Sequence, residues 1–247
     1  MRLAVQERLL ALNRSFYATV ASEFDATRGG LPAGWTELEP FLPDAPAGGA
    51  LGVLDVGCGN GRFARFLDLR QQPTQYVGVD GDEHLLTLAA EHTAALTYVQ
   101  PRFLQADLAV PGWSQPLSAA AFDLVVCLAV LHHIPHLGRR EQLLGELAAA
   151  LHPQGVLVLS NWQFLTSSRF RQKQAPWSSI GLDKADVEAG DALLPWNQGA
   201  HALRYVHQVD EGEVASLAHA SGLVVEHSFY ADGKEGNLNL YSLLRRQ

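Results

Sequence analysis

The apolar run Val53, Leu54, Asp55, Val56 leads without interruption into Gly57-Cys58-Gly59-Asn60-Gly61. Closely spaced glycines at the end of a strand let the backbone turn sharply and approach a ligand. Alone, such a turn marks either a ligand or an ordinary tight turn. Two acids downstream narrow the choice. Asp80 comes nineteen residues after Gly61, where a second strand would end, and can accept hydrogen bonds from both hydroxyls of a ribose. Asp107 follows a third apolar segment and can accept from the exocyclic amine of adenine. Together they describe an adenosyl site at the carboxyl edge of a parallel sheet. A nicotinamide dinucleotide fits less well: its fingerprint needs glycine at the sixth position of the turn, and Arg62 stands there. Cys58, Cys127, Gly78 and Asp123 read as packing or strand-start residues, and the two thiols as packing groups rather than metal ligands.

The elements that must position these residues are legible in the periodicity. Residues 2–27 carry apolar side chains at three- and four-residue spacing and predict a helix, closed by the glycine-rich segment 29–34. A helical turn at 35–41 and a Pro/Gly loop at 43–49 lead into an alternating pattern. Strands are expected at 51–56, 76–80, 96–104, 122–128 and 155–160, and helices at 62–69, 83–91 and 139–151. Continuous apolar strands alternating with amphipathic helices argue for a parallel sheet covered on both faces. The stretch 161–201 breaks this rhythm. It holds three of the five tryptophans and the basic run Arg169-Phe170-Arg171-Gln172-Lys173, and reads as an insertion or lid. A helix at 210–220 and a strand pair at 223–230 and 238–244 end the pattern. The organisation expected is one domain over 1–247: a helical cap to residue 48, a cofactor-binding core over 49–160, a lid over 161–208, and a terminal helix and hairpin.

With 47% hydrophobic and 18% charged residues, the composition is that of a folded globular chain. The net charge of −8 counts against strong unaided binding of nucleic acid. There is no bilayer-length apolar run and no signal-peptide pattern, and only two cysteines occur, so a cytoplasmic location with no membrane association is expected.

The ordered set of glycine turn, Asp55, Asp80 and Asp107 resembles the class I S-adenosylmethionine-dependent methyltransferases. The resemblance covers about residues 51–160 and the last two strands. It implies an α/β, doubly wound, Rossmann-like fold with a seven-stranded sheet and an antiparallel last strand, capped by N-terminal helices and carrying an insertion after strand five. It implies S-adenosylmethionine as cofactor, with Asp55, Gly57, Cys58 and Gly59 at the methionine end, Asp80 and Gly81 at the ribose, Asp107 and Leu108 at the adenine, and Leu128 beside the turn.

The acceptor must be read elsewhere. After the fourth strand comes Leu128-Ala129-Val130-Leu131-His132-His133-Ile134-Pro135, without the Asp/Asn-Pro-Pro-aromatic turn of enzymes that methylate amino groups of adenine or glutamine. His132, the candidate catalytic residue of the pair, could orient an acceptor or take a proton. In the flanks, Tyr17, Ala21, Phe24, Thr27 and Arg28, then Trp35, are similar to the entry helix of the tRNA wobble-uridine carboxymethyl methyltransferases. So are Asp191 to Trp196, Leu203-Arg204-Tyr205-Val206-His207 and Glu211-Gly212-Glu213. That family esterifies a carboxymethyl group on uridine, chemistry that needs no general base. The resemblance implies that Tyr17 and Arg28 close over the methionine end and that Arg204 and Tyr205 sit near the acceptor. It implies tRNA as partner and, as in some lineages, a small activating protein. Two departures stand out: the acidic charge, and Leu238 where an aromatic is expected. The alternatives are a small-molecule O- or N-methyltransferase and a non-catalytic cofactor-binding domain.

Overall fold

The computed structural model describes residues 1–26, 30–117, 121–198 and 200–247, with the side chains of 21–26, 197, 198 and 200 left out of the description. In chain order the elements are α1 (Leu3–Ala26), α2 (Ala33–Leu38), β1 (Leu51–Val56), α3 (Arg62–Asp68), β2 (Thr74–Asp80), α4 (Glu83–Thr93), β3 (Val99–Gln105) and β4 (Phe122–Leu128). They continue with α5 (Leu137–Ala150), β5 (Leu151–Trp162), α6 (Ser168–Gln172), β6 (Asp191–Gln198), β7 (Ala200–His207), α7 (Glu211–Ala220), β8 (Leu223–Ala231) and β9 (Asn239–Arg246).

Seven strands form one sheet in the order β3-β2-β1-β4-β5-β9-β8. β1 to β5 pair in parallel, and β9 runs antiparallel to both β5 and β8. The central strands are apolar on both faces because each face is covered. On one side Leu54, Val125, Cys127, Leu157 and Leu159 pack against α5 and α7 through Leu143, Leu147, Val214 and Leu217. On the other, Val53, Leu124, Val126, Val156 and Val158 pack against Phe63, Phe66 and Leu67 of α3 and Trp35 and Leu38 of α2.

Chain order and sheet order reverse between β1 and β4. Ligands of open α/β sheets bind at the carboxyl ends of strands beside such a switch. The expected parallel sheet with a reversed last strand is the observed one. Among the boundaries that differ, two have a physical reason in the sheet. β3 starts at Val99 and tolerates Pro101 because it is the sheet edge, paired on one side only. β5 starts at Leu151 rather than 155, its first pairing set off by a bulge between Phe122 and Leu124.

The stretch after β5 is more ordered than its composition suggests. β6 and β7 pair as an antiparallel hairpin forming a second, two-stranded sheet. The hairpin packs on α1, burying Leu193 and Tyr205 with Val5 and Leu9. Asn13 joins the two. Its Oδ1 accepts from Tyr205 N at 2.8 Å, and its Nδ2 donates to Tyr205 O at 3.1 Å.

Candidate functional site

A cavity of about 500 Å³ opens at the carboxyl ends of the parallel strands and is roofed by α1. Its floor is the glycine turn. Gly57, Gly59 and Gly61 have φ of 77°, 53° and 76°, a region that L side chains rarely occupy. A Cβ on Gly57 would lie 2.2 Å from Val130, so the turn and the β4 loop approach as only glycine permits. At Gly59 a Cβ would meet nothing within 4 Å, which leaves bare backbone on the cavity wall. The turn is tied to β2: Gly57 N and Cys58 N donate to Val79 O, and Gly59 N donates to Asp80 Oδ2 at 2.9 Å.

The three acids differ in environment. Asp55 is buried at 2% exposure and accepts a short hydrogen bond from the Tyr76 hydroxyl. Burial pushes its carboxyl up to about 7; the Tyr76 bond opposes this, and the neighbouring Asp80 charge adds to it. Asp80 is also raised, by burial above all, although the N–H groups of Asp82 and Gly59 hold its oxygens. Asp107 is half-exposed. It accepts from Ala109 N at 3.0 Å and pairs with Arg14 of α1 at 2.9 Å.

Of the residues expected at a cofactor, Tyr17, Asp55, Gly57, Cys58, Gly59, Asp80, Gly81, Asp107, Leu108 and Leu128 all line this cavity. Arg28 lies outside the described residues. The expected acceptor residues are placed differently. His132 is buried away from the cavity wall, its Nδ1 accepting from Trp162 N at 3.4 Å. It is His133 that lines the cavity; the His132 ring lies behind it, with centroids 4.3 Å apart. Tyr205 is fully buried under the hairpin and donates its hydroxyl to Asp191. Register explains this: Tyr205 faces inward beside Leu193, among the residues that bury α1. Arg204 is not on the cavity wall either. Its guanidinium lies 4.6 Å from the Trp162 ring and 5.4 Å from that of Phe16, and Phe16 meets Tyr17 edge-on at 5.2 Å.

Several cavity residues were not found by sequence reasoning. Asn13 and Arg14 come from α1, where apolar spacing drew attention to the other face. Trp35, Arg62 and Tyr241 cluster near the glycine turn, with Arg62 5.1 Å from the Trp35 ring. Tyr241 belongs to β9, and its hydroxyl donates to Asp232. Gly34 makes room for it: a Cβ there would lie 2.3 Å from the Tyr241 ring. Arg62, next to the turn, and Trp35, after the entry helix, carried a sequence signal; Asn13, Arg14 and Tyr241 did not.

The sheet order, the glycine floor and the acids at the ends of β1, β2 and β3 define a doubly wound protein that holds an adenosyl ligand. The methyltransferase domain family matches residues 54–157. The trans-aconitate 2-methyltransferase of Paracidovorax citrulli is 33% identical over 190 residues, covering 72% of this chain and 69% of that one. The tRNA (carboxymethyluridine(34)-5-O)-methyltransferase of Schizosaccharomyces pombe is 27% identical over 229 residues, covering 87% and 90%. The vertebrate protein of that name from Xenopus tropicalis is 25% identical over 88% of this chain, which spans only 38% of its length. A solved methyltransferase from Methanosarcina mazei shares the fold with a TM-score of 0.65 at 16% identity, covering 85% and 96%. The chain belongs to the S-adenosylmethionine-dependent methyltransferases. S-adenosylmethionine is accordingly its cofactor, and the bare backbone at Gly59 with Asp80 and Asp107 on the same cavity wall fits that group.

Proposed function

We propose that the chain esterifies a carboxylate oxygen, and that the acceptor is the carboxymethyl group of a modified wobble uridine in tRNA. The observation that carries this reading is the match with the S. pombe relative over 87% of this chain and 90% of that one, more than the cofactor-binding core alone could supply. The P. citrulli relative is named for another carboxylate, trans-aconitate, so both names print an acid as acceptor.

The cofactor supplies a methyl group already activated on a sulfonium. The protein's task is then alignment and exclusion of water. A carboxylate is ionised at neutral pH and needs no base, so neither His132, which is off the cavity wall, nor His133, which is on it, has to take a proton. On this proposal Tyr17, Asp55, Gly57, Cys58 and Gly59 hold the methionine end, Asp80 and Gly81 the ribose, and Asp107 and Leu108 the adenine. Arg204, among Phe16, Trp162 and Trp196, pairs with the acceptor carboxylate. Residues 161–208 act as the lid of a single domain, and tRNA and a small activating protein are its partners. A cytoplasmic location belongs to the same reading and is supported by the composition. Among the described residues no helix is long and apolar enough to cross a membrane.

A second reading is a small polycarboxylate as acceptor, favoured by the higher identity to the P. citrulli relative. The test that separates them is nucleoside mass analysis of tRNA from cells lacking the chain. Loss of the carboxymethyl-uridine ester is expected. An unchanged ester, with methylation of trans-aconitate by the purified protein, would replace the first reading by the second.

A further inference from the structure

We propose that His133 is a positioning residue whose tautomer makes the Tyr17 hydroxyl a hydrogen-bond acceptor toward the cationic end of the cofactor. His133 Nδ1 lies 3.2 Å from the backbone carbonyl of Tyr205. A carbonyl oxygen can only accept, so Nδ1 carries the proton. In a neutral imidazole Nε2 is then a lone-pair acceptor. That Nε2 lies 2.8 Å from the Tyr17 oxygen. The phenol therefore gives its one proton to His133 and turns oxygen lone pairs to the cavity that both residues line.

The carbonyl that sets this polarity is itself fixed. Asn13, 6% exposed, accepts from Tyr205 N and donates to Tyr205 O. The same amide nitrogen donates to the backbone carbonyl of His133 at 3.1 Å. One buried amide thus brackets α1, β7 and the turn after β4. The ring planes of Tyr17 and His133 meet at 87°, with centroids 5.5 Å apart.

The direction of the hydroxyl has a chemical consequence. Tyr17 is held beside the turn after β4 by His133, one helical turn beyond Arg14, which reaches Asp107. S-adenosylmethionine carries two cationic groups beyond its nucleoside, the α-ammonium and the sulfonium. Lone pairs attract either one, whereas a hydroxyl proton aimed inward would repel both. The inference rests on the family's cofactor and not on the acceptor proposed above.

The tautomer can be read on the ligand-free protein by long-range nitrogen–proton NMR of His133 near neutral pH. Protonation at Nδ1 is expected; protonation at Nε2 overturns the proposal. Calorimetric titration of Tyr17→Phe with S-adenosylmethionine and S-adenosylhomocysteine reads the consequence. Loss of one bond to a charged group should weaken binding of S-adenosylmethionine by about tenfold or more. An equal loss for both ligands assigns the α-ammonium, and a loss confined to S-adenosylmethionine assigns the sulfonium. Unchanged affinity for both overturns the assignment. His133→Leu should reproduce the Tyr17→Phe loss, and His133→Gln, which keeps a donor and an acceptor, should restore part of it. Full affinity in His133→Leu would leave Tyr17 acting without its positioning partner and would also overturn the proposal.

Discussion

Asp55 is the most perturbed carboxyl of the cavity, with burial holding it near 7. A cationic ligand beside it favours the ionised form, so binding should expel a proton when the experiment is run near that value. Affinity for S-adenosylmethionine should therefore rise between pH 6 and 8 and then level off. Titrations in buffers of different ionisation enthalpy measure the proton directly, and the absence of proton release would remove Asp55 from the ligand's surroundings. Asp80 has a double task, since its oxygens hold the N–H groups of Gly59 and Asp82. Asp80→Asn keeps one acceptor oxygen and the local shape but loses the charge. Its affinity for the cofactor should fall by about tenfold, and its melting temperature should fall too, because the amide NH2 faces one of the two backbone N–H groups; undiminished affinity would argue against the ribose assignment. The glycines and the three acids were legible because each lies at or just past the carboxyl end of a strand, a position that chain periodicity reveals. The choice between His132 and His133 was not. Their rings lie side by side, with centroids 4.3 Å apart, and which one meets the cavity is set by the elements packed around the turn rather than by spacing.

At the scale of elements, the β6–β7 hairpin is joined to α5 and α7 by a buried polar cluster. His207 lies between Asp191 at 2.7 Å and Glu213 at 2.8 Å, and Arg140 reaches Glu213 and Glu188. Burial pulls His207 down, but its hydrogen bonds to the two carboxylates prevail and raise it above 6.5. Burial pushes Glu213 up, and the His207 bond and the Arg140 charge outweigh it, leaving it below 4.5. The signs differ. The His207 contribution is complete below 6.5 and is lost as pH rises through its folded value. The Glu213 contribution is complete above 4.5 and is lost as pH falls. The joint should be tightest between those values. Melting curves should show stability declining above that window, and His207→Gln should flatten the decline; an unaltered slope would place the titration elsewhere. Arg140 is 1% exposed. Its replacement by Ala leaves carboxylates facing one another and should cost about 3 kcal/mol in denaturant unfolding. None of this cluster was visible as a cluster. Asp191, His207 and Glu213 were noted as family-like positions, but nothing in the sequence set Arg140 apart within the helix expected at 139–151. Only the tertiary packing of α5 on α7 brings it in.

At the scale of the whole molecule, charge and proposed acceptor pull against each other. The chain has 18 basic and 26 acidic residues, whereas tRNA is a polyanion. Its overall field slows the approach of nucleic acid rather than steering it. The basic run at Arg169–Lys173 does little to reverse this. Arg171 is engaged with the carbonyls of Leu165 and Thr166, and Arg169 lies over the Phe170 ring. Binding of tRNA by the chain alone should therefore be weak, with a dissociation constant in the micromolar range or above at physiological salt. Few phosphate contacts also mean a shallow salt dependence. Between 50 and 200 mM salt the affinity should change by about tenfold or less, well short of the thousandfold or more that six to ten neutralised phosphates would give. A basic assisting protein should tighten binding and steepen the slope together, because both quantities count the same phosphate contacts. Filter binding at several salt concentrations, with and without such a protein, reads both. Nanomolar binding and a steep slope for the chain alone would mean that its acidic surface is segregated from a basic face large enough to hold tRNA unaided. The need for an assisting protein would then fall, while the acceptor proposal would stand.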